Sequence, residues 1–277
     1  MLGIGVLSRS YLYDLHMALP TTNCEHREFM RALAPEYHEF RRIQLTMIIS
    51  HEHKYLYVIN PKVASTTVRN RLRELNGFPP LDNPRDVMSH KGSGFVMPKN
   101  ISMGDMRSIC LGSDYYNFSF VRNPFDRLVS AYVYFQSQVD ESSSQHGNKK
   151  LYLRAKNPHR DPKIRTKMSF EEFIRGACEP QFYVQDQHWR LQTEILKLDL
   201  INYDFIGKME NFGADLTTIL QRLDAPDDVL SRVDMVTNRS NRKKNTADYY
   251  DAKTAELVRE WYNEDFVRFD YSFDVPQ

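Results

Sequence analysis

The chain has 277 residues, of which 41% are hydrophobic, 12% aromatic and 26% charged, and its formal net charge is +1. That length can bury a sizeable core, and the balance excludes a disordered, collagenous or coiled-coil chain. The near-zero charge excludes a global pull toward nucleic acid or anionic membrane, so any anion site must be local.

Residues 1–41 have mixed polarity and two early breakers, Pro20 and Pro35, and are expected to form a peripheral helical arm ahead of one domain over 42–277. Two apolar runs, Ile43–Ile49 and Tyr55–Ile59, read as strands joined by the polar turn His51–Lys54, with His51 and His53 at a solvated tip rather than in a metal site. The second run passes straight into Pro61-Lys-Val-Ala-Ser-Thr-Thr67 and then a helix with Val68, Leu72 and Leu75 on one face. This is the layout of a phosphate-binding turn. The first N–H groups of a helix lack intrahelical partners and carry the positive end of its dipole, and here Lys62 and the hydroxyls of Ser65, Thr66 and Thr67 add to them. The helix is expected to stop near Asn76-Gly77, before Pro79 and Pro80. Leu81 to Met103 reads as a loop carrying His90 and Lys91.

A second strand, basic residue and helix follow in Asn117-Phe-Ser-Phe-Val-Arg-Asn-Pro-Phe-Asp-Arg-Leu-Val-Ser-Ala-Tyr132, with Pro124 suited to a first helical turn. Two such turns imply one ligand with two separated phosphates. From Gln138 to Lys167 the chain is polar and basic and reads as an exposed insertion, either a solvated loop or a lid that grips an anionic acceptor. Ser169-Phe-Glu-Glu172 is a capping box opening a short helix. Tyr203–Ile206 reads as a strand, and Phe212, Leu216, Ile219, Leu220 and Leu223 mark an amphipathic helix ending before Pro226. A basic stretch, Asn238–Asn245, precedes a last helix with Leu257, Val258, Trp261 and Tyr262. Alternating strands and helices argue for an α/β fold, a P-loop-like three-layer sandwich with a mostly parallel central sheet, helices on both faces and the ligand across the strand ends.

The three cysteines, Cys24, Cys110 and Cys178, are widely spaced and form no C-x-x-C pair, which fits a reducing compartment. No apolar run approaches the roughly 20 residues of a membrane span, and the first seven residues lack the basic flank of a signal peptide. The sequons at Asn100, Asn117 and Asn238 read as chance matches, since Asn117 opens a core strand.

The first turn lacks the Gly-x-x-x-x-Gly-Lys-Ser/Thr pattern of nucleotide triphosphatases. Instead Pro61–Thr67 resembles the 5′-phosphosulfate loop, and Arg122-Asn-Pro-Phe-Asp-Arg-Leu-Val-Ser130 the 3′-phosphate motif, of sulfotransferases that use 3′-phosphoadenosine 5′-phosphosulfate (PAPS). The group most similar is that of the carbohydrate sulfotransferases, sulfotransferase family 2, with the chondroitin, dermatan and HNK-1 enzymes. The likeness extends to His188-Trp189, Asn202–Glu210 and Trp261–Phe266, so it covers about Met47 to the C-terminus. The chain departs from the group where many Golgi members carry a Cys-x-x-Cys pair. Leu196 and Asp199 stand at those positions, which favours a cytoplasmic relative over the alternative of the Golgi lumen.

The resemblance implies sulfuryl transfer from PAPS to a hydroxyl of a carbohydrate or small hydroxylated acceptor, with no metal required. Pro61, Lys62, Val63, Ala64, Ser65, Thr66 and Thr67 would hold the 5′ end of the nucleotide, Arg122 and Ser130 the 3′-phosphate, and Arg239 and Arg242 a late basic loop over it. Lys62 is the candidate for stabilising charge on the leaving oxygen. His90 and His188 are the candidate general bases, with an Asp or Glu still open. Arg127 is expected to be a structural or surface ion-pair former. A kinase is disfavoured by the missing glycines and Mg²⁺-binding Asp pattern, and a non-catalytic nucleotide-binding module by the presence of Lys62.

Overall fold

The computed structural model describes residues 28–29, 32–33, 43, 46–83, 86–87, 92–140 (backbone alone for 137–140), 169–179, 186–235 and 244–277. The 1–41 arm apart from its few described positions, His90, most of the 138–167 insertion, Arg239 and Arg242 lie outside these residues.

Among the described residues four strands form one sheet in the order β1 (Met47–Ser50), β2 (Tyr55–Val58), β3 (Tyr116–Val121) and β4 (Phe205–Lys208). β1 and β2 are an antiparallel hairpin, pairing Met47 with Val58 and Ser50 with Tyr55. The remaining pairings are parallel, Tyr55 with Tyr116 and Phe118 with Phe205 among them. Parallel neighbours need long crossovers, so the C-terminal ends of β2, β3 and β4 point the same way and the loops leaving them share one edge. The hairpin agrees with the sequence reading in its pairing, with shifted ends. Ile43 is helical, pairing begins at Met47, and β2 ends at Val58, shortly before Pro61, which has no N–H to donate.

Successive strand residues point to opposite faces, which divides the apolar residues into two layers. On one face Ile48, Tyr55, Tyr57, Phe118 and Phe120 pack against α1 (Ser65–Leu75) through Val68 and Leu72, and against Leu216, Ile219 and Leu220 of the helix Phe212–Arg222. On the other, Met47, Ile49, Leu56, Val58 and Val121 pack against Met103, Met106, Ile109 and Cys110 of α2 (Met103–Leu111). The expected three-layer arrangement is present. Each large apolar side chain fully buried here contributes about 1.5–3 kcal/mol. At Gly207 no side chain fits, since a Cβ there would lie 2.5 Å from the Phe120 ring.

A third cluster sits beyond the sheet edge. It joins Phe125, Leu128 and Phe135 of α3 (Pro124–Asp140), Phe170 and Phe173 of α4 (Phe170–Ala177), Trp189, Val258 of the helix Ala252–Trp261, and Phe266. The capping box at Ser169 forms as the sequence indicates, with Ser169 Oγ accepting from Glu172 N and Ser169 N donating to Glu172. α3 continues to Asp140, so the first residues assigned to the basic insertion are helical.

α2 occupies part of what reads as loop and approach to β3. Its signal is Ser102 as N-cap with Asp105 three residues on, followed by Met103, Met106 and Ile109 on one face. Asn117 is fully buried, its amide donating to the carbonyls of Ile109 and Asn202, so no glycan fits there. Leu196 fills the apolar layer with Met106 and Ile109, and Asp199 is exposed. Burial pushes the Cys110 and Cys178 thiols up to about 12, which leaves both unreactive near neutrality.

Candidate active site

The first loop leaves β2 through Asn60 and Pro61 and enters α1 with Lys62 at φ 71° and Ala64 at φ 55°. Two side-chain-bearing residues thus occupy the left-handed region that a triphosphatase loop gives to glycine, each at a cost of about 1–2 kcal/mol. Thr67 N and Val68 N bond Ala64 O, so the intrahelical ladder starts only there. No side chain caps α1 and its first turn holds no acid, which leaves the positive end of the helix dipole open to an anion. Lys62, Ala64, Ser65 and Thr66 are half-buried around this opening. Pro61, Val63 and Thr67 are buried, and Val63 packs in the core with Val68.

The second loop leaves β3 one strand over. Arg122 is held by its backbone: its N–H donates to Gln192 Oε1 at 3.0 Å, and Gln192 Nε2 donates to its carbonyl at 2.9 Å. The same Oε1 accepts from Asn60 Nδ2 at 2.8 Å, so one buried glutamine ties the ends of β2 and β3 together. Gln192 N and Thr193 N in turn donate to the two oxygens of Asp265, whose carboxyl is pushed up to about 6 by burial. Gln192 opens α5 (Gln192–Leu196), a five-residue helix too short to show a period in the sequence.

The Arg122 guanidinium reaches Lys62 O and Asp126 Oδ2, both at 3.4 Å, and its buried Nε has no partner among the described residues. Arg127 is 1% exposed and is a clamp rather than a surface ion-pair former. Its guanidinium donates to the carbonyls of Pro61 at 3.2 Å, Arg190 at 2.7 Å and Gln187 at 2.8 Å. Three cations therefore converge on the strand ends. Burial, then Arg122, then Arg127 hold the Lys62 ammonium down to about 7 from its ordinary 10.5. An anion between them would relieve that repulsion.

Lys62 Nζ sits 4.1 Å from the centre of the Tyr134 ring. Tyr134 lies seven residues beyond Arg127 on α3, so both face the first loop, and Ser130 falls between them on that face. His188 stacks on the same Tyr134 ring at 5.8 Å and 17°, with Phe135 edge-on at 5.3 Å. Its Nδ1 is 2.5 Å from Asp186 Oδ1, and its backbone N–H donates to that oxygen at 2.8 Å. A carboxylate on Nδ1 leaves Nε2 as the nitrogen facing outward, the arrangement of an oriented general base. Lys62, Arg122, Ser130 and His188 are thus gathered at one edge of the sheet. The sequence reading missed Tyr134, Asp186, Gln192 and Asp265. Asp two residues before His was the one signal available for Asp186.

The described chain resumes at Lys244. Thr246, fully buried, donates its hydroxyl to Asp126 Oδ1, and Tyr250 Oη donates to Phe125 O at 3.0 Å. Among the described residues no group of three or more His, Cys, Asp or Glu side chains is placed to hold a metal, and no helix is long and apolar enough to cross a membrane.

A model of the "Sulfotransferase family" matches residues 45–272. The chain is 28% identical over 184 residues to carbohydrate sulfotransferase 14 of Danio rerio, covering 66% of this chain and 49% of that protein. It is 25% identical over 236 residues to carbohydrate sulfotransferase 11 of Rattus norvegicus, 82% of this chain and 67% of the relative. With carbohydrate sulfotransferase 12 of Xenopus laevis it shares 29% over 202 residues, 64% of this chain and 48% of the relative. The chain thus spans about half to two thirds of the length of these relatives. No solved structure matches it significantly.

Proposed function

The chain belongs to the sulfotransferase family, and from that premise we propose that it transfers a sulfuryl group from PAPS to a hydroxyl of a carbohydrate acceptor. The observation that carries this reading is the pair of neighbouring strand ends. They present Lys62 above an uncapped, acid-free helix N-terminus and Arg122 with an unpartnered buried Nε. That cation set, whose members repel one another, fits the two phosphate groups of such a nucleotide. PAPS supplies an activated sulfuryl group on its 5′-phosphate when bound.

On this reading the N–H groups of Ser65 and Thr66, with their hydroxyls, bind the 5′ end, and Arg122 with Ser130 binds the 3′-phosphate. Lys62 stabilises the charge that grows on the leaving oxygen. His188 takes the acceptor proton at Nε2 while Asp186 holds its other nitrogen. The sequence candidates His90, Arg239 and Arg242 keep their proposed roles. The division at about residue 42 is also a proposal, supported by a family match that begins at 45. Kinship with carbohydrate sulfotransferases supports a glycan acceptor, and it weighs for the Golgi-lumen alternative against the cytoplasmic expectation.

Calorimetric titration of 3′-phosphoadenosine 5′-phosphate (PAP) and AMP, without magnesium, tests the donor. The expected result is a clear preference for PAP that Arg122→Ala abolishes. Equal binding of the two nucleotides overturns the reading.

A further inference from the structure

We infer that Thr246 is a positioning residue for nucleotide selectivity: its hydroxyl engages one oxygen of Asp126, which keeps that carboxylate from closing on Arg122 and leaves the guanidinium for the 3′-phosphate of the donor. The inference rests on the sulfotransferase reading above and deepens it.

Asp126 is four residues beyond Arg122, in the first turn of α3, and both side chains are largely shielded, at 20% and 16% exposure. An Arg and an Asp at this spacing readily form the parallel two-bond fork, which is the strongest pairing available to either. That fork would place a negative charge on the surface offered to an incoming phosphate. It does not form here. The contact is a single one, Nη2 to Oδ2 at 3.4 Å, and Asp126 Oδ1 instead accepts from Thr246.

Thr246 is held in place independently of this contact. It begins the turn Ala247–Tyr249, after which Tyr250 donates to Phe125 O and sets its ring edge-on to Phe125 at 5.0 Å. The consequence shows on the arginine: Nη1 makes only a long bond of 3.4 Å to Lys62 O, and Nε is buried without a partner. A buried donor left in that state is costly unless a ligand completes it, and a charge-assisted bond to phosphate is the completion its chemistry favours. AMP, lacking the 3′-phosphate, offers nothing at that position.

The test is calorimetric titration of PAP and of AMP into the full chain carrying Thr246→Val, Thr246→Ser or Thr246→Val with Asp126→Asn. Valine keeps the buried shape and removes the hydroxyl, so the preference for PAP over AMP is expected to fall about five- to tenfold while AMP affinity holds. Serine is expected to retain the preference, and Asp126→Asn to restore it in the valine background by removing the competing charge. An unchanged preference in Thr246→Val, an equal loss for both nucleotides, or no restoration by Asp126→Asn overturns the inference. Asp126→Asn alone tests it should the valine variant not fold: PAP selectivity is expected to rise, and a fall overturns the proposal. A wild type that does not distinguish PAP from AMP overturns the donor reading itself, whereas a selective wild type insensitive to Thr246 overturns only this inference.

Discussion

Binding of PAP at pH 8 is expected to draw a proton from solution onto Lys62. With its ammonium held down to about 7 by burial and by Arg122 and Arg127, Lys62 in the free protein carries a proton on only about a tenth of molecules at pH 8. Phosphate oxygens among the three cations reverse the balance and return Lys62 toward its ordinary range, so close to one proton, about 0.9, is taken up per nucleotide. At this pH the phosphate monoester is already fully ionised, its second pKa being about 6, so the uptake belongs to the protein. The same displacement sets the stability of the free protein. Its folded pKa lies below the unfolded value, so the unfolded chain binds more protons between pH 7 and 10.5 and stability rises with pH across that window. Titrations in buffers of different ionisation enthalpy give the proton count as the slope of observed enthalpy against buffer enthalpy. A wild-type slope below about 0.3, or the same slope in Lys62→Met, would falsify the placement of Lys62 as the cation facing the ligand.

Arg127→Ala is expected to cost about 3 kcal/mol in urea unfolding, because three carbonyls lose a buried charged donor, and to weaken PAP binding through release of Pro61. A loss under about 0.5 kcal/mol would contradict the clamp. Gly207→Ala is expected to lower stability by about 1–3 kcal/mol, since its new methyl group meets the Phe120 ring. Unaltered denaturation would show that the β3–β4 pairing yields more easily than the packing implies. His188→Gln is expected to lower PAPS turnover with a carbohydrate acceptor by about 10²–10⁴-fold at unchanged PAP affinity, and Asp186→Asn by less, with a displaced pH–rate profile. Retained turnover in His188→Gln would move the base elsewhere, with His90 the next residue to replace.

Both strand-to-helix turns were legible because their signals are local. A short apolar run gives way to basic and hydroxyl residues and then to a 3.6-residue period, all within about fifteen positions at 55–69 and again at 117–132. The helix Phe212–Arg222 and the capping box at Ser169 were legible for the same reason. What was illegible acts across sequence. The bond from Gln192 to Asn60 spans 132 positions and that from Gln192 to Asp265 spans 73, and both use side chains with no periodicity to betray them. Between the structural and the surface role open to Arg127 the sequence could not choose, because arginine usually lies at the surface, and the convergence of three backbone carbonyls from two distant segments explains its burial. Tyr134 reads in the sequence as one more aromatic on α3, and its place between Lys62 and His188 depends on how that helix crosses the first loop.

The tie from Asn60 and Arg122 through Gln192 to Asp265 also bears on how the protein is made. Both loops proposed to hold the nucleotide leave the ribosome within the first half of the chain, yet the glutamine that aligns them emerges about 70 residues after Arg122, and the carboxylate that anchors the glutamine about 70 residues later still. Until residue 265 has appeared, the strand ends have no lock and the cations around Lys62 nothing to hold them in register. Nascent chains stalled short of that point should therefore carry every residue of the two loops and still fail to retain the nucleotide.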